Sequence, residues 1–486
     1  MMGVPSIVSA TATYRDILED GQTAMLAGSI EEWREKLAVL VNNAELRKKI
    51  ARQAWELSWR NYSIAAQAEN ISSIVANATP KLSQTAQRPL ILIVNVFFPP
   101  QTIGGATRVV RDNVDYFIDH FGEQFDIAVF SSVDGDLKPY QLSCYDYRGV
   151  LVTSVSSQQR KRGNWEAFDQ EMGAIFSDFL ERSKPDLIHF HCMQRLTAAM
   201  VSAARKQAIP YYITVHDAWW ISDYQFLVDK AGKLRLDHSA LDIFKHEDKF
   251  AVEGFLRLQK LKTELAGAKA VLSVSESFEA VYRQHGVDNV RTISNGVSHL
   301  PIVQKTPHPD HRIRLGLIGG MQAHKGLPLV KRALLSAGFD NLHLTVVDLA
   351  ESYSQYARRE LYGSTPVDII GKLPQERIGE LYSRLDVLLA VSIWPESYGL
   401  VSREALACGL WVIASDRGAI GADVTEGKNG FIVDVSGTAA LIKVLKIIDA
   451  NPELYRNPPA HKARLRSADN QAEELAALYL ETLKKP

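Results

Sequence analysis

Two glutamates are the residues whose type and spacing most directly suggest chemistry in this chain. The segment Trp394-Pro-Glu-Ser-Tyr-Gly-Leu-Val-Ser-Arg-Glu404 leaves an apolar strand and enters an apparent helix, GLVSREALAC. The backbone N–H groups of Gly399, Leu400 and Val401 would lie at that helix's N-terminus. There they are unpaired within the helix and near its positive end, which suits a diphosphate. Glu396 before the helix and Glu404 about a turn inside it could accept hydroxyl groups on either side of the diphosphate, one from a transferred sugar and one from a ribose. In isolation the same pair also reads as a solvated helix start.

The elements that would position these residues follow from periodicity. Leu90 to Val94 is a continuous apolar run, as in a parallel strand buried on both faces. It ends in FFPPQTIGGATR, after which Val110, Val114, Phe117 and Phe121 recur at helical spacing. Gly104 and Gly105 in that turn let the backbone approach a ligand closely. Further strands are predicted at 125–130, 187–190, 211–215 and 270–274, alternating with helices over 166–182 and 248–267. A polar stretch, Pro301 to Arg312, separates these from a second series of strands at 313–318, 342–347, 367–370, 386–391 and 411–414. The fold class expected is α/β, with two Rossmann-like domains whose parallel sheets face a central cleft. Ligands of such sheets bind at the carboxyl ends of the strands, where Gly319, Gly320, Lys325, Lys372 and Leu373 also fall.

Composition excludes several other classes. Lys plus Arg (55) balances Asp plus Glu (56), which removes the electrostatic footprint of a dedicated nucleic-acid binder. Three separated cysteines, Cys144, Cys192 and Cys408, imply neither a disulfide framework nor a zinc site and fit a reducing, cytoplasmic setting. No stretch approaches 18 uninterrupted apolar residues, and the N-terminus lacks a basic region followed by an apolar run. Arg160, Lys161 and Arg162, near Trp165 and Phe168, read as an exposed basic turn or as a peripheral contact with the inner face of a membrane.

The front of the chain carries an internal repeat: residues 3–27 align without a gap with 409–433, an offset of 406 (409 minus 3). Gly3 pairs with Gly409, Ile7 with Ile413, Ser9 with Ser415 and Gly21 with Gly427. Residues 28–78 follow with Trp33, Leu37, Leu40, Leu46, Ile50 and Trp55 at amphipathic helical spacing. Residues 1–80 are therefore expected to be a small α/β remnant, the C-terminal tail of a second, similar domain. The counterpart of the glutamate pair falls before Met1, so no donor site is expected in it. The expected organisation is this remnant, a linker over 81–88, one domain over 89–300, another over 301–460, and a helix over 461–486 that packs back on the first domain.

Taken together, the blocks resemble the retaining family 4 glycosyltransferases of the GT-B fold. The carriers are PESYGLVSREALACG with the GKNGFIV turn behind it, Gly104-Gly105 before the Arg108 helix, His216-Asp217 after YYITV, and Lys325 in GGMQAHKG. The resemblance implies sugar transfer from a nucleoside diphosphate sugar, a GDP- or UDP-sugar, to an acceptor hydroxyl with retention of configuration and without a metal or other cofactor. It implies that Glu396 and Glu404 form the family's E-x7-E pair and that His216 contacts the transferred sugar. Lys325 would bind phosphate, Gly104-Gly105 would approach donor phosphates or acceptor, and Lys372-Leu373 would lie beside the base. Where the family commonly carries an Arg, this chain has Gly320, so either Arg314, Arg403 or a first-domain Arg such as Arg108 substitutes, or activity is weaker. His189 and His191, on or just beyond a buried strand, are read as structural. The acceptor expected is a glycan or lipid-linked glycan of a bacterial surface polysaccharide, with other glycosyltransferase domains as partners. A sugar-nucleotide 2-epimerase and a non-catalytic nucleotide-sugar-binding module share enough of this pattern to stand as alternatives.

Overall fold

The computed structural model describes residues 4–63, 66–68, 88–101, 104–134, 137–158, 160–229, 232–236, 239, 241, 251–300, 304–307, 310–319, 321–352 and 357–484. The chain divides into two compact units, Met1–Gln87 and Arg88–Pro486. Of the expected linker only Arg88 is among the described residues.

In the front unit, β1 (Ile7–Ser9) and β2 (Met25–Ala27) pair in parallel around the short helix α1 (Ala12–Arg15). Two helices follow, α2 (Ile30–Asn42) and α3 (Ala44–Tyr62), each begun by a side-chain cap: Ser29 accepts from the Glu32 N–H and Asn43 from the Leu46 N–H. Their apolar faces are only partly used. Leu40 and Ile50 are buried with Met25, whereas Trp33, Leu37 and Trp55 are exposed. A two-stranded sheet has too little apolar surface to cover both helix stripes.

This unit copies one corner of the larger unit. Its pairs Ile7↔Met25, Val8↔Leu26 and Ser9↔Ala27 become, with 406 added, the observed pairs Ile413↔Phe431, Ala414↔Ile432 and Ser415↔Val433. The isolated bridge Asp20↔Ala24 has its equivalent in Glu426↔Gly430. Gly21 and Gly427 both take positive φ, 73° and 67°. Each donates its N–H to the carbonyl three residues on, at 2.7 and 2.8 Å. Asp20 accepts from the Leu26 N–H as Glu426 accepts from the Ile432 N–H.

The first lobe of the larger unit is an eight-stranded sheet in the order β10-β9-β8-β7-β3-β4-β6-β5. Its strands are β3 (Leu90–Asn95), β4 (Asp126–Val133), β5 (Leu142–Tyr147), β6 (Val150–Ser156), β7 (Leu187–Phe190), β8 (Tyr211–Val215), β9 (Ala270–Ser273) and β10 (Val290–Thr292). All pairings are parallel except β5 with β6. The helices are α4 (Gly104–Phe121), α5 (Gln170–Ser183), α6 (Ala199–Lys206), α7 (Ala251–Ala266) and α8 (Glu276–Gln284).

The second lobe is a seven-stranded sheet, β13-β14-β12-β11-β15-β16-β17. It comprises β11 (Ile313–Ile318), β12 (Leu342–Ser352), β13 (Ala357–Tyr362), β14 (Thr365–Lys372), β15 (Val387–Ala390), β16 (Trp411–Ser415) and β17 (Gly430–Val433). Only the edge strand β13 runs antiparallel. Its helices are α9 (Leu327–Ser336), α10 (Ile378–Ser383), α11 (Leu400–Ala407), α12 (Ala439–Asp449) and α13 (Pro452–Tyr455). The two-domain α/β architecture expected from the strand and helix alternation is thus the one observed.

The last helix, α14 (Ala468–Lys484), packs on the first lobe, burying Ala472, Leu475, Ala476 and Tyr479 against Val110, Val114 and Phe117 of α4. Where the chain returns, Val297 bridges Ser467, and Gln471 accepts from the Gly296 N–H and donates to Asn295, both at 3.0 Å. A Cβ on Gly296 would lie 1.9 Å from the Ser467 carbonyl oxygen, so only glycine allows the two segments to meet this closely.

Candidate functional site

The glutamate segment lies between β15 and α11 and is built by close glycine contacts. Gly399 caps α11 at φ +80°, and a Cβ there would meet the Ile420 Cα at 2.9 Å. Gly418, at φ +66°, sits under Glu396, whose carbonyl oxygen would be 2.3 Å from an added Cβ. That packing turns the Glu396 side chain into the protein. Its Oε1 accepts from Ser392 Oγ at 2.6 Å and lies 2.5 Å from Lys325 Nζ. Burial works against the charged form, but Lys325 and Ser392 outweigh it and hold the carboxyl below its usual range. Lys325 itself ends the turn Ala323–Lys325 after β11, its stem against Gly319, with its ammonium 5.5 Å from the centroid of Trp394.

Glu404 is buried on α11. Its Oε2 accepts from Tyr382 Oη at 2.7 Å, and its Oε1 lies 2.6 Å from Arg108 Nη1, an ion pair without hydrogen-bond geometry. Leu400 and Val401 occupy the first two helical positions, whose N–H groups no helical carbonyl can accept. The first turn of α11 therefore presents free donors between two carboxylates that each face a cation.

His216 follows β8 in the first lobe. Its Nε2 is 3.2 Å from His191 Nδ1, with the rings 29° from parallel. Burial lowers His216 to about 4, and burial with neighbouring histidines takes His191 well below its ordinary value. Both rings are neutral at pH 7, so one of the two facing nitrogens carries the proton and the other accepts it. His189 lies behind, between Thr214 Oγ1 at 2.7 Å and the Tyr479 hydroxyl. It is fully buried with both ring nitrogens in contact with partners, whereas His191 touches His216. Asp217 turns inward, accepting from Gln194 and Gln225 at 2.8 Å and from the Trp219 N–H at 2.9 Å.

The lobes meet around these groups. The Gly105 Cβ position is 3.0 Å from Leu400 Cδ1, so the glycine turn abuts the start of α11. Ser275 Oγ donates to the Ser397 carbonyl at 2.5 Å. Phe226, in the loop after His216, stacks on His324 at 4.4 Å and meets Trp394 edge-on at 5.2 Å. Gly104 begins α4 at φ +83° with open space beside it.

Lys372 is exposed at the end of β14, while the Leu373 side chain is buried with Leu381 and Leu388. Gly320 lies outside the described residues. Of the three arginines considered for its missing cation, Arg314 is held by Asp386 at 2.8 Å and Arg403 by Asp423 at 2.6 Å, and only Arg108 meets the glutamate pair. Phe226, Tyr382 and Ser392 were not singled out from sequence; the one available signal was Ser392, four residues before Glu396. The basic turn is exposed only in part: Lys161 is exposed, whereas Arg160 packs against Asp169 at 2.9 Å, the carboxylate that also caps α5, and Arg162 pairs with Glu253. Among the described residues no helix is long and apolar enough to cross a membrane. No group of three His, Cys, Asp or Glu among them could hold a metal ion.

Two parallel-dominated sheets, each layered with helices and meeting at these loops, define the GT-B class. Residues 103–299 match the family profile described as Glycosyltransferase Family 4, and residues 301–463 match the one described as Glycosyl transferases group 1. The chain thus carries the paired domains of a GT-B glycosyltransferase. It is 24% identical over 318 residues to D-inositol 3-phosphate glycosyltransferase of Corynebacterium urealyticum, covering 58% of this chain and 74% of that one. It is 26% identical over 228 residues to alpha-maltose-1-phosphate synthase of Mycolicibacterium smegmatis, covering 40% and 57%. Among solved structures it is similar to sucrose-phosphate synthase from Thermosynechococcus elongatus, with TM-score 0.59, 18% identity, and coverage of 81% and 99%. It is also similar to HepE of Anabaena in complex with UDP and glucose, with TM-score 0.55, 16% identity, and coverage of 81% and 100%.

Proposed function

We propose that the cleft binds a nucleoside diphosphate sugar and transfers the sugar to an acceptor hydroxyl with retention of configuration. The observation that carries this reading is the arrangement at α11: free N–H donors on its first turn, with Glu396 at Lys325 before it and Glu404 behind it. The diphosphate would rest on the N–H groups of Leu400 and Val401 and on Lys325. Glu396 would take hydroxyls of the transferred sugar, Glu404 those of the ribose, and the Lys372-Leu373 backbone would lie beside the base. In the reaction the bond from the anomeric carbon to the β-phosphate oxygen breaks and a bond to the acceptor oxygen forms. The electron pair leaves with the diphosphate, which also receives the acceptor's proton. Lys325 and the helix N-terminus stabilise that developing charge without a metal ion in the scheme. Neutral His216 can donate or accept a hydrogen bond at the sugar.

The bound UDP and glucose of the similar HepE structure support a UDP-hexose as the first donor to test, with a GDP-sugar as the second. We assign the acceptor to the glycan or lipid-linked glycan class. The front unit is, on this reading, a partial repeat of the second lobe. The counterpart of Gly418 there is Ala12, within α1. A thermal-shift screen of UDP-, GDP- and ADP-sugars tests donor binding, since a bound ligand raises the melting temperature by mass action. A selective rise with one nucleotide class is expected, and no rise with any of them would refute the reading.

A further inference from the structure

We propose that Arg108 is a second ligand of the donor diphosphate, held by Glu404 while the cleft is empty and exchanged onto the phosphates when the donor enters. This deepens the donor-site reading and rests on it. The observation behind it is a pairing: each carboxylate of the site faces its own cation, Glu396 with Lys325 at 2.5 Å and Glu404 with Arg108 at 2.6 Å. Lys325 and Glu396 belong to the second lobe. Arg108 comes from α4 of the first.

Two helices meet to make the second pair. Gly105 and Arg108, one turn apart on α4, face Leu400 and Glu404, one turn apart on α11. Arg108 is therefore fixed beside the same helix whose first turn carries the free N–H donors. The contact is also poorly made. A guanidinium matched to a carboxylate donates two parallel hydrogen bonds, yet Glu404 Oε1, buried with its side chain only 2% exposed, has no hydrogen bond in spite of its cation. Arg314, by contrast, bonds Asp386 through Nε and Nη2. An unsatisfied buried carboxylate oxygen gains by accepting a hydroxyl, and a cation so weakly bonded gains by meeting a diphosphate. Donor binding supplies both groups at once. Arg403 cannot make this exchange, because Asp423 and the Tyr398 carbonyl hold it.

The exchange has a signature that a purely structural ion pair lacks: Arg108 competes with the nucleoside for Glu404 but assists the phosphates. Calorimetric titration of wild type, Arg108→Gln and Arg108→Lys with UDP, GDP, uridine and guanosine reads it directly. In Arg108→Gln the affinity for the diphosphate that wild type binds should fall roughly 10- to 100-fold. Affinity for the matching nucleoside should be unchanged or improved, and Arg108→Lys should recover part of the diphosphate affinity. Equal weakening for nucleoside and diphosphate, or an unchanged diphosphate affinity, would overturn the exchange. A wild-type protein that binds neither of these diphosphates, nor ADP, would overturn the donor-site reading with it.

Discussion

Replacing Gly418 by alanine should loosen Glu396 without touching its chemistry. Two costs can be separated. At φ +66° an alanine pays the left-handed penalty of about 1–2 kcal/mol. Its Cβ would also lie 2.3 Å from the Glu396 carbonyl oxygen and 2.5 Å from the Glu396 nitrogen. Ordinary contact begins near 3.4 Å, so the Glu396 backbone must retreat by about 1 Å, and crowding of this kind costs about 1–3 kcal/mol more. Gly427 supplies the control: its φ is +67°, but nothing lies within 4 Å of a Cβ there. Gly427→Ala should therefore lose only the left-handed penalty, while Gly418→Ala loses about 2–5 kcal/mol in all. A 1 Å misplacement of a positioning group can cost about 100-fold in rate, so transfer should fall by that order in Gly418→Ala and stay near wild type in Gly427→Ala. Calorimetric unfolding and donor turnover on both variants measure the two effects. Equal stability of the two variants with unchanged turnover would refute the packing argument.

The buried histidines and Asp217 give a pH dependence with a definite sign. Folding lowers His216 to about 4 and His189 to about 3, so their stabilising contribution is complete above the ordinary value of 6.5 and is lost as pH falls from there toward 4. Asp217, raised to about 6 by burial despite its three donors, acts oppositely, its contribution being lost as pH rises from 3.8 through 6. His191 and His324 shift in the same direction as His216 and His189, so with Asp217 opposing them stability should drop by at least about 3 kcal/mol between pH 6.5 and 4.5. A flat or rising melting temperature over that range would contradict it. Phe226→Ala should uncover His324, which burial and Lys325 hold at about 4, and move its NMR titration back toward 6.5. An unmoved titration would show that Phe226 is not what shields that ring.

The fold was legible at most strands buried on both faces; β6, buried but with Thr and Ser in its run VLVTSVS, was not. β3, β7, β8, β9, β11, β15 and β16 are short apolar runs followed by loops, and their spacing sufficed to order two Rossmann-like lobes. The antiparallel edge strands β5 and β13 were missed for a physical reason. β5 is mostly exposed, so its sequence, LSCYDY, need not be apolar. Much of the candidate site was readable because Glu396, Glu404, Lys325 and the two glycines lie at strand ends and helix starts, which local sequence marks. The partners of those residues were not. Arg108 is 296 residues (404 minus 108) from Glu404 in the chain, and Phe226 lies in a loop without periodicity. Tyr382 reaches Glu404 from α10, and Asp169 buries Arg160 from the cap of α5. Such contacts depend on how elements pack, and one sequence does not encode them in any short pattern. The front unit shows the same limit in reverse. Its helix stripes were plain, but nothing local told that Trp33 and Trp55 would stay exposed.

Product analysis tests the central claim most directly. The nucleotide sugar that gives the largest thermal shift is incubated with wild type and Lys325→Ala, with and without glycan acceptors, and the products are read by NMR. Wild type should release the nucleoside diphosphate and form a glycoside of unchanged anomeric configuration, and a folded Lys325→Ala should lose both strongly. Appearance of a C2-epimerised sugar without acceptor, donor binding with no turnover on any acceptor, or near-normal transfer by Lys325→Ala would contradict it.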